Sequence, residues 1–371
     1  MGNKKNTMKI IVFDKYLGYQ VGGAQNSLHT LLKELKGDSK FLGCDVKKAF
    51  SAEKYKLPEW EVERLKIKEF PRWPYFEYWL NRKKVGEFIK SQKADLLITQ
   101  GLYGALAVRA FNGKSIYFIR DEYHLNHIPV TQTGIKKFFK KIYVFLQRPF
   151  IACIFRDNKA AILKADIVVS NSKFIADGIK NKFNRDSEII YPLINVLDMV
   201  SHKDCPNHDD QFITAIGSED IKGGRIVENI AKIMPDHQFM IVGRSFSQSI
   251  KRDNILYQPW SKNIEEIYRK TKILLAPSII NEAFCRVAVE GMALGIPCIG
   301  SNKGGIPEVL ESEFIINDIY NLKMWKEKIL EIESKIDGLS QKLKQKAVEY
   351  DMKNQVIKFK NIVNYKVGIN L

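Results

Sequence analysis

Short, nearly continuous apolar runs recur along the chain at Met8 to Phe13, Asp95 to Thr99, Ser115 to Ile119 and Asp166 to Ser170. They return at Phe212 to Ile216, Phe239 to Val242, Ile255 to Gln258, Ile273 to Pro277 and Pro297 to Ser301. Runs of this length predict strands buried on both faces, the pattern of a parallel sheet. A further strand is expected near Cys44 to Phe50, and Ser187 to Tyr191 closes the first series. Between the runs lie segments with helical spacing: Asn26 to Leu35, Tyr103 to Ala110, Lys173 to Lys180 behind an Asn171-Ser172 cap, Lys222 to Ile233, Ile264 to Lys270 and Arg286 to Leu294. Strand and helix therefore alternate twice, on either side of a linker candidate from 192 to about 210 that includes the polar stretch Ser201 to Asp210. That predicts an α/β protein of two Rossmann-like domains with a cleft between them.

The second series carries the densest chemistry. Glu282 stands in the loop after the run Ile273 to Pro277, and Glu290 lies inside the helix that follows. Paired carboxylates at a strand end suit polyhydroxyl recognition, since each accepts from neighbouring hydroxyls, while backbone N–H groups of Ala283, Phe284, Cys285 and Arg286 at the helix start suit oxygens or phosphate. The plainer reading makes both acids solvated residues at a helix start. Gly304-Gly305-Ile306 is expected to bring backbone close to a ligand, with Pro307-Glu308 opening the next helix. Gly217-Ser218 and Lys222-Gly223-Gly224 lie at the first strand–helix junction of this half, where a lysine among glycines can neutralise a diphosphate; the order is not that of a Walker loop. In the first half, Gly22-Gly23 precede a helix, and Arg120-Asp121 with His124 and His127 follow a strand, the edge where open α/β sheets keep ligands. His124, His127 and Asp121 as a metal site lack a third ligand at firm spacing.

Pro277-Ser278, Glu282-Ala283-Phe284, Arg286-Val287, Val289-Glu290, Met292-Ala293, Gly295-Ile296-Pro297 and Gly304-Gly305-Ile306-Pro307-Glu308 together resemble the E-x7-E signature of family 4 glycosyltransferases. The resemblance implies a retaining enzyme of the GT-B fold, with two Rossmann-like domains whose parallel sheets face across a cleft. It implies an acceptor domain over 1–195, to which a final helix at about 352–371 crosses back, and a nucleotide-sugar domain over 196–351. It also implies a nucleotide-diphosphate sugar as co-substrate and no cofactor or metal, and no D-x-D occurs in the chain. On this resemblance Glu282 holds the sugar hydroxyls, Glu290 the ribose and Lys222 the diphosphate. Gly22 and Gly23 face the donor, and Arg120, Asp121 or His124 takes the place of the family's histidine beside the sugar. The chain departs from the family at Cys285, where glycine is usual, and at Ser218, where a phosphate-binding arginine is usual; Arg225 and Arg244 are the candidates to replace that arginine.

Charge adds a question of location. Lys and Arg number 59 against 42 Asp and Glu, a formal net charge of +17, which attracts polyanions of every kind. Residues Trp60 to Lys90 interleave aromatics with bases. Gly134 to Ala165 holds eight bases (Lys136, Lys137, Lys140, Lys141, Arg148, Arg156, Lys159, Lys164) to one acid, Asp157, with phenylalanines between them and Pro149 dividing or kinking the helix. This is the pattern of a helix lying in a membrane surface, with Gly134 to Ile154 as the contact and a glycan or lipid-linked acceptor as the partner. The competing reading puts the phenylalanines in the core and the lysines on a solvated face. No signal peptide, membrane span or myristoylation pattern opens the chain, and five scattered cysteines without a C-x-x-C pair suit reduced thiols. The expected location is cytoplasmic, peripheral on the inner face of the cell membrane. Two other classes remain: a GT-B-shaped nucleotide-sugar epimerase, which needs no acceptor, and a basic nucleic-acid-binding protein, for which no binding module is recognisable.

Overall fold

Two seven-stranded sheets organise the computed structural model, which describes residues 8–19, 22–35, 38–47, 57, 59–122, 134–201, 212–261 and 264–369. The chain divides into one unit of Met1–Leu193 with Gln355–Leu371 and another of Ile194–Asn354.

In the first unit the strands are β1 (Lys9–Phe13), β2 (Asp38–Asp45), β3 (Val62–Lys66), β4 (Leu96–Gln100), β5 (Lys114–Ile119), β6 (Ile167–Ser170) and β7 (Glu188–Ile189). They lie in the order β3-β2-β1-β4-β5-β6-β7, and every pair is parallel. β4 is buried along its whole length and β1 and β5 all but their first residues, which is why they appear in the sequence as unbroken apolar runs. The helices are α1 (Gly23–Glu34), α2 (Pro74–Lys90), α3 (Gly101–Ala110), α4 (Gly134–Leu146), α5 (Arg148–Lys164) and α6 (Lys173–Phe183). Ser172 caps α6 by accepting from the Ile175 N–H at 3.2 Å. Pro149 falls in the first turn of α5, where a missing N–H costs nothing, so the basic segment is two helices rather than one kinked one.

The second unit contains β8 (Phe212–Ile216), β9 (Phe239–Gly243), β10 (Ile250–Arg252), β11 (Ile255–Pro259), β12 (Thr271–Ala276), β13 (Cys298–Ser301) and β14 (Ile315–Ile316). Their order is β10-β11-β9-β8-β12-β13-β14, parallel except for the β10–β11 pair. Its helices are α7 (Val196–Ser201), α8 (Gly224–Ile233), α9 (Glu265–Arg269), α10 (Arg286–Ala293), α11 (Ile306–Val309), α12 (Leu322–Glu333) and α13 (Ile336–Ala347). α14 (Met352–Val367) begins here and from Gln355 onward belongs to the first unit, where Phe359 is fully buried with its ring 5.6 Å from that of Phe118. α14 is separated from α13 at Asp351. Its buried carboxylate accepts from the Leu197 and Lys353 N–H groups at 3.0 and 2.9 Å.

The second strand differs from expectation. It spans Asp38–Asp45, earlier than the expected Cys44 to Phe50, because the pairing Phe41↔Val12 and Leu42↔Phe13 sets its register on β1; residues 48–50 lie outside the described ones. β3, β10 and α12 were not evident in the sequence; β3 and β10 are edge strands with exposed positions, so neither makes an apolar run.

In each sheet the strand order reverses once at an inner pair, between β1 and β4 and between β8 and β12. Loops diverge at such a point and leave a crevice at the carboxyl ends of the strands.

Candidate functional site

In the second unit this crevice is bordered by the loop after β8 and the loop after β12. The first begins at Gly217 and turns through a 3₁₀ segment, Asp220–Lys222, into Gly223. Gly223 has φ +83°, and a Cβ there would lie 2.1 Å from the Pro277 carbonyl oxygen, so only glycine lets this loop pass the end of β12. The Ile279 N–H donates to the Ile221 carbonyl at 2.9 Å and ties the loops together. The result is that Lys222 Nζ sits 3.0 Å from Glu282 Oε1, with side-chain exposures of 37% and 13%. Ser278 Oγ also contacts Glu282.

The backbone of Glu282 is held from the other side. Gly305 N–H donates to the Glu282 carbonyl at 2.6 Å, and Gly304 pairs with Glu282 as an isolated bridge. Gly304 has φ +59°, and a Cβ on it would lie 2.2 Å from the Glu282 carbonyl oxygen. The glycine pair therefore lets its loop pack closely on the Glu282 backbone. Ile306 beside it is fully buried and offers no side chain to a donor.

Glu290 has partners of its own. Its carboxylate accepts from Tyr268 Oη at 2.7 Å and from Arg286 Nη2 at 3.3 Å. Tyr268 is 1% exposed, and burial followed by the Glu290 charge holds its phenol well above its ordinary pKa, so it remains a donor. Phe284 and Cys285, expected at the donor, are 7% and 2% exposed. Phe284 packs edge-on against Tyr350 at 5.7 Å, and a hydrogen bond between the free Cys285 and Cys298 thiols is the largest cause raising the Cys298 pKa. Phe284 and Cys285, just before α10, thus turn their side chains into the core. Ala283 and Arg286 stay half-buried.

The phosphate-side candidates separate. Arg225 pairs with Asp220 at 2.9 Å. The Arg244 guanidinium lies 4.9 Å from the Trp260 ring centre. Ser218 Oγ is 2.7 Å from Ser245 Oγ and lies so close to Gly243 that a Cβ there would meet it at 1.9 Å. Of the bases considered for the diphosphate, Lys222 is the one joined to Glu282.

In the first unit, Gly22 is extended and Gly23 opens α1. Arg120 follows β5 with its guanidinium 4.7 Å from the Phe118 ring centre and its carbonyl accepting from Asn171 Nδ2 at 3.0 Å. Asp121 is half-buried beside it and, after burial, is the next cause raising the Tyr117 phenol. His124 and His127 lie outside the described residues. Sequence reading missed Asp14, which ends β1 at the order reversal, 3% exposed, with Oδ1 accepting from the Tyr16 N–H at 2.7 Å. Burial pushes its carboxyl up to about 6, against the Tyr16 N–H, Gln100, Arg120 and Lys15. The signal was present as an acid directly after the run Met8 to Phe13. Among the described residues no three His, Cys, Asp or Glu side chains gather as metal ligands.

Residues 227–353, which contain Glu282, Glu290 and the glycine pair, match the family model described as Glycosyl transferases group 1. That segment, about a third of the chain, is similar to family 4 of the glycosyltransferases. The chain is 39% identical over 71 residues to spore coat protein SA of Bacillus subtilis, covering 18% of this chain and 19% of that protein. It is 26% identical over 249 residues to an uncharacterized 41.2 kDa protein in the cps region of Klebsiella pneumoniae, covering 60% of this chain and 64% of that one. It thus spans less than two thirds of the length of either relative. The structure of Anabaena HepE in complex with UDP and glucose superposes with a TM-score of 0.66 at 15% identity, covering 96% of this chain and 99% of that one. The chain shares with it an α/β fold of two largely parallel sheets, the GT-B fold.

Proposed function

We propose that this protein is a retaining glycosyltransferase that moves a sugar from a nucleotide-diphosphate sugar to a hydroxyl of a glycan or lipid-linked acceptor at an anionic membrane surface. The observation that carries the reading is the Lys222–Glu282 contact at the strand-order reversal of the second unit. The UDP and glucose of the HepE complex support the donor class.

Leaving-group departure from an oxocarbenium-like centre is the difficult step, and a positive group on the departing diphosphate lowers its barrier most. Without donor, Lys222 is held by Glu282. When the diphosphate arrives it takes over Lys222, and Glu282 turns its acceptor lone pairs to the sugar hydroxyls. Glu290, oriented by Tyr268 and Arg286, accepts from the ribose. The acceptor oxygen then bonds the anomeric carbon on the face the diphosphate leaves, and its proton passes to the departing phosphate oxygen. Transfer to acceptor and epimerisation are distinguished by incubating the protein with nucleotide-sugar, with and without acceptor. Sugar-altered nucleotide formed without acceptor would overturn the transferase reading.

The membrane part rests on α4. Phe138, Ile142, Phe145 and Leu146 are 60%, 41%, 60% and 56% exposed, and the spacing of the first three sets one stripe along the helix. These side chains are not core. Among the described residues no helix is long and apolar enough to cross a membrane, so the contact lies in the surface plane. Wild type is expected to pellet with anionic vesicles and be released by salt, and changing Lys136, Lys137, Lys140 and Lys141 to Glu should abolish pelleting without lowering Tm. Equal pelleting of wild type and variant would exclude α4 as the contact.

A further inference from the structure

Away from these residues, the first unit holds a cavity of about 450 Å³ between α2, α3 and α5. Arg82, Lys83 and Lys90 of α2, Arg109 of α3 and Arg156 of α5 line it, with Glu87 the acid among them. Arg82, Gly86 and Lys90 recur at every fourth position and so share one face of α2. Gly86 stands between the two bases, and the nearest atom to a Cβ built there is the Ala110 Cβ at 3.9 Å. Glycine inside a helix is unfavourable by about 1 kcal/mol against alanine. Here it leaves room between the helices.

Two of the cations are fixed from behind. Arg109 pairs with Asp157, which is fully buried and also takes a hydrogen bond from Tyr78 Oη at 3.3 Å. Arg82 Nη1 donates to Cys153 Sγ at 2.8 Å. Lys83, Lys90 and Arg156 are exposed at the rim, with Lys83 Nζ 3.9 Å from Glu87 and Arg156 Nε 3.9 Å from Asp157. The positive excess reaches the neighbouring Lys164, whose ammonium is pushed below its ordinary pKa by burial first and then by Arg109 and Lys90.

The cavity continues into an aromatic surface on the same two helices. Trp79, one turn before Arg82 and Lys83, stacks with Phe76 at 6.0 Å and lies 5.5 Å from Phe150 at the start of α5. Phe70, Trp73 and Trp79 are 40%, 39% and 42% exposed. Trp73 also lies 5.5 Å from Tyr143, whose hydroxyl donates to the Arg72 carbonyl at 2.8 Å, so the patch is continuous with α4. A basic pocket beside half-exposed tryptophans matches a phosphate at headgroup depth next to the interfacial layer where such rings partition.

We propose that this cavity binds the phosphate headgroup of an anionic lipid while Trp73, Trp79 and Phe150 rest in the interface. The site deepens the membrane reading above and rests on it. It makes α2 and α5, not α4 alone, the face that meets the bilayer. Arg82 and Arg109 are the fixed posts of the site, and the three rim cations close on the phosphate oxygens.

The test measures binding of the full chain to phosphatidylcholine vesicles with and without phosphatidylglycerol. A Lys83→Glu, Lys90→Glu, Arg156→Gln variant changes exposed side chains without setting a second carboxylate beside Asp157, and should keep the wild-type Tm. Its affinity for the anionic vesicles should fall on the order of a hundredfold, because several surface bases are reversed or neutralised together. Trp79→Ala should weaken vesicle binding and remove a blue shift of tryptophan emission seen with wild type. If the rim variant binds as wild type does while the α4 lysine variant does not, the cavity is not a headgroup site and the membrane reading stands. If wild type itself ignores anionic vesicles, both fail. If inorganic phosphate raises the Tm of wild type but not of the rim variant, and vesicles are ignored, the cavity takes a soluble anion and the lipid proposal is overturned.

Discussion

Lys222 Nζ lies 3.0 Å from Glu282 Oε1, a contact that joins the loop after β8 to the loop after β12 where the strand order of the second unit reverses. A half-exposed base and a mostly buried acid hold each other in place at the one edge of the sheet where both loops are in reach. The pair is also exchangeable, since a diphosphate presents Lys222 with a stronger partner than a single carboxylate.

Lys222→Ala should therefore weaken nucleotide-sugar binding by about 1.5–3 kcal/mol, the usual scale of a hydrogen bond to a charged group. Isothermal calorimetry reads this directly. Unchanged donor affinity would remove Lys222 from the site.

Glu282 and Glu290 have separate partners and should fail in separate ways. Glu282→Gln is expected to reduce turnover far more than nucleotide affinity, and Glu290→Gln mainly to weaken nucleotide binding. Because Tyr268 Oη donates to Glu290 at 2.7 Å, Tyr268→Phe should resemble Glu290→Gln in kind, with a loss of about 1 kcal/mol in nucleotide affinity. Steady-state kinetics beside calorimetry separates the two effects, and exchanged phenotypes would reverse the assignment.

Gly304→Ala places a Cβ 2.2 Å from the Glu282 carbonyl oxygen at φ +59°. The substitution should destabilise the protein by roughly 1–3 kcal/mol and lower turnover by displacing Glu282. Gly338→Ala is the control, since no atom lies within 4 Å of a Cβ built there and the residue is in α13. It should stabilise by about 0.5–1 kcal/mol. Urea unfolding of both variants is the measurement, and equal shifts would contradict the packing described.

The pH dependence of stability should contain two opposing contributions from the first unit. Burial raises the Asp14 carboxyl from 3.8 to about 6, so the folded chain binds this proton more tightly and the stabilisation is lost as pH rises from about 4 to about 6. His29 is lowered from 6.5 to about 4, by burial first and then by Lys33, with Glu59 opposing, and its Nε2 accepts from the Gly18 N–H at 3.1 Å. Its stabilisation is present above 6.5 and lost as pH falls toward 4. Relative to wild type, Asp14→Asn should show stability rising more steeply between these limits and His29→Gln stability falling more steeply, each on the order of 3 kcal/mol. Chemical denaturation across the range measures both, and parallel curves for the three proteins would show that neither group behaves so.

Much of the architecture was legible because hydrophobic period and strand length are local properties. The run Met8 to Phe13 contains β1, Phe212 to Ile216 is β8, and Arg286 to Leu294 contains α10, each deduced from its own residues. The placing of Glu282 in a loop and Glu290 in the following helix was legible for the same reason. β2 and β10 were misplaced or missed because their extent is set by the strand each pairs with.

The alliances within the site belong to the tertiary structure. Nothing near Lys222 in the chain specifies Glu282 as its partner, and nothing near Gly304 specifies that its missing side chain makes room for the Glu282 backbone. The same holds for Cys285, whose neighbours in sequence suggested a ligand and whose neighbour in space is Cys298. Which loops meet depends on strand order, and strand order follows from how all the buried faces close on one another at once. The chain by itself determined which residues stand at strand ends with charge to offer; only the packed sheets decided which of those charges face each other.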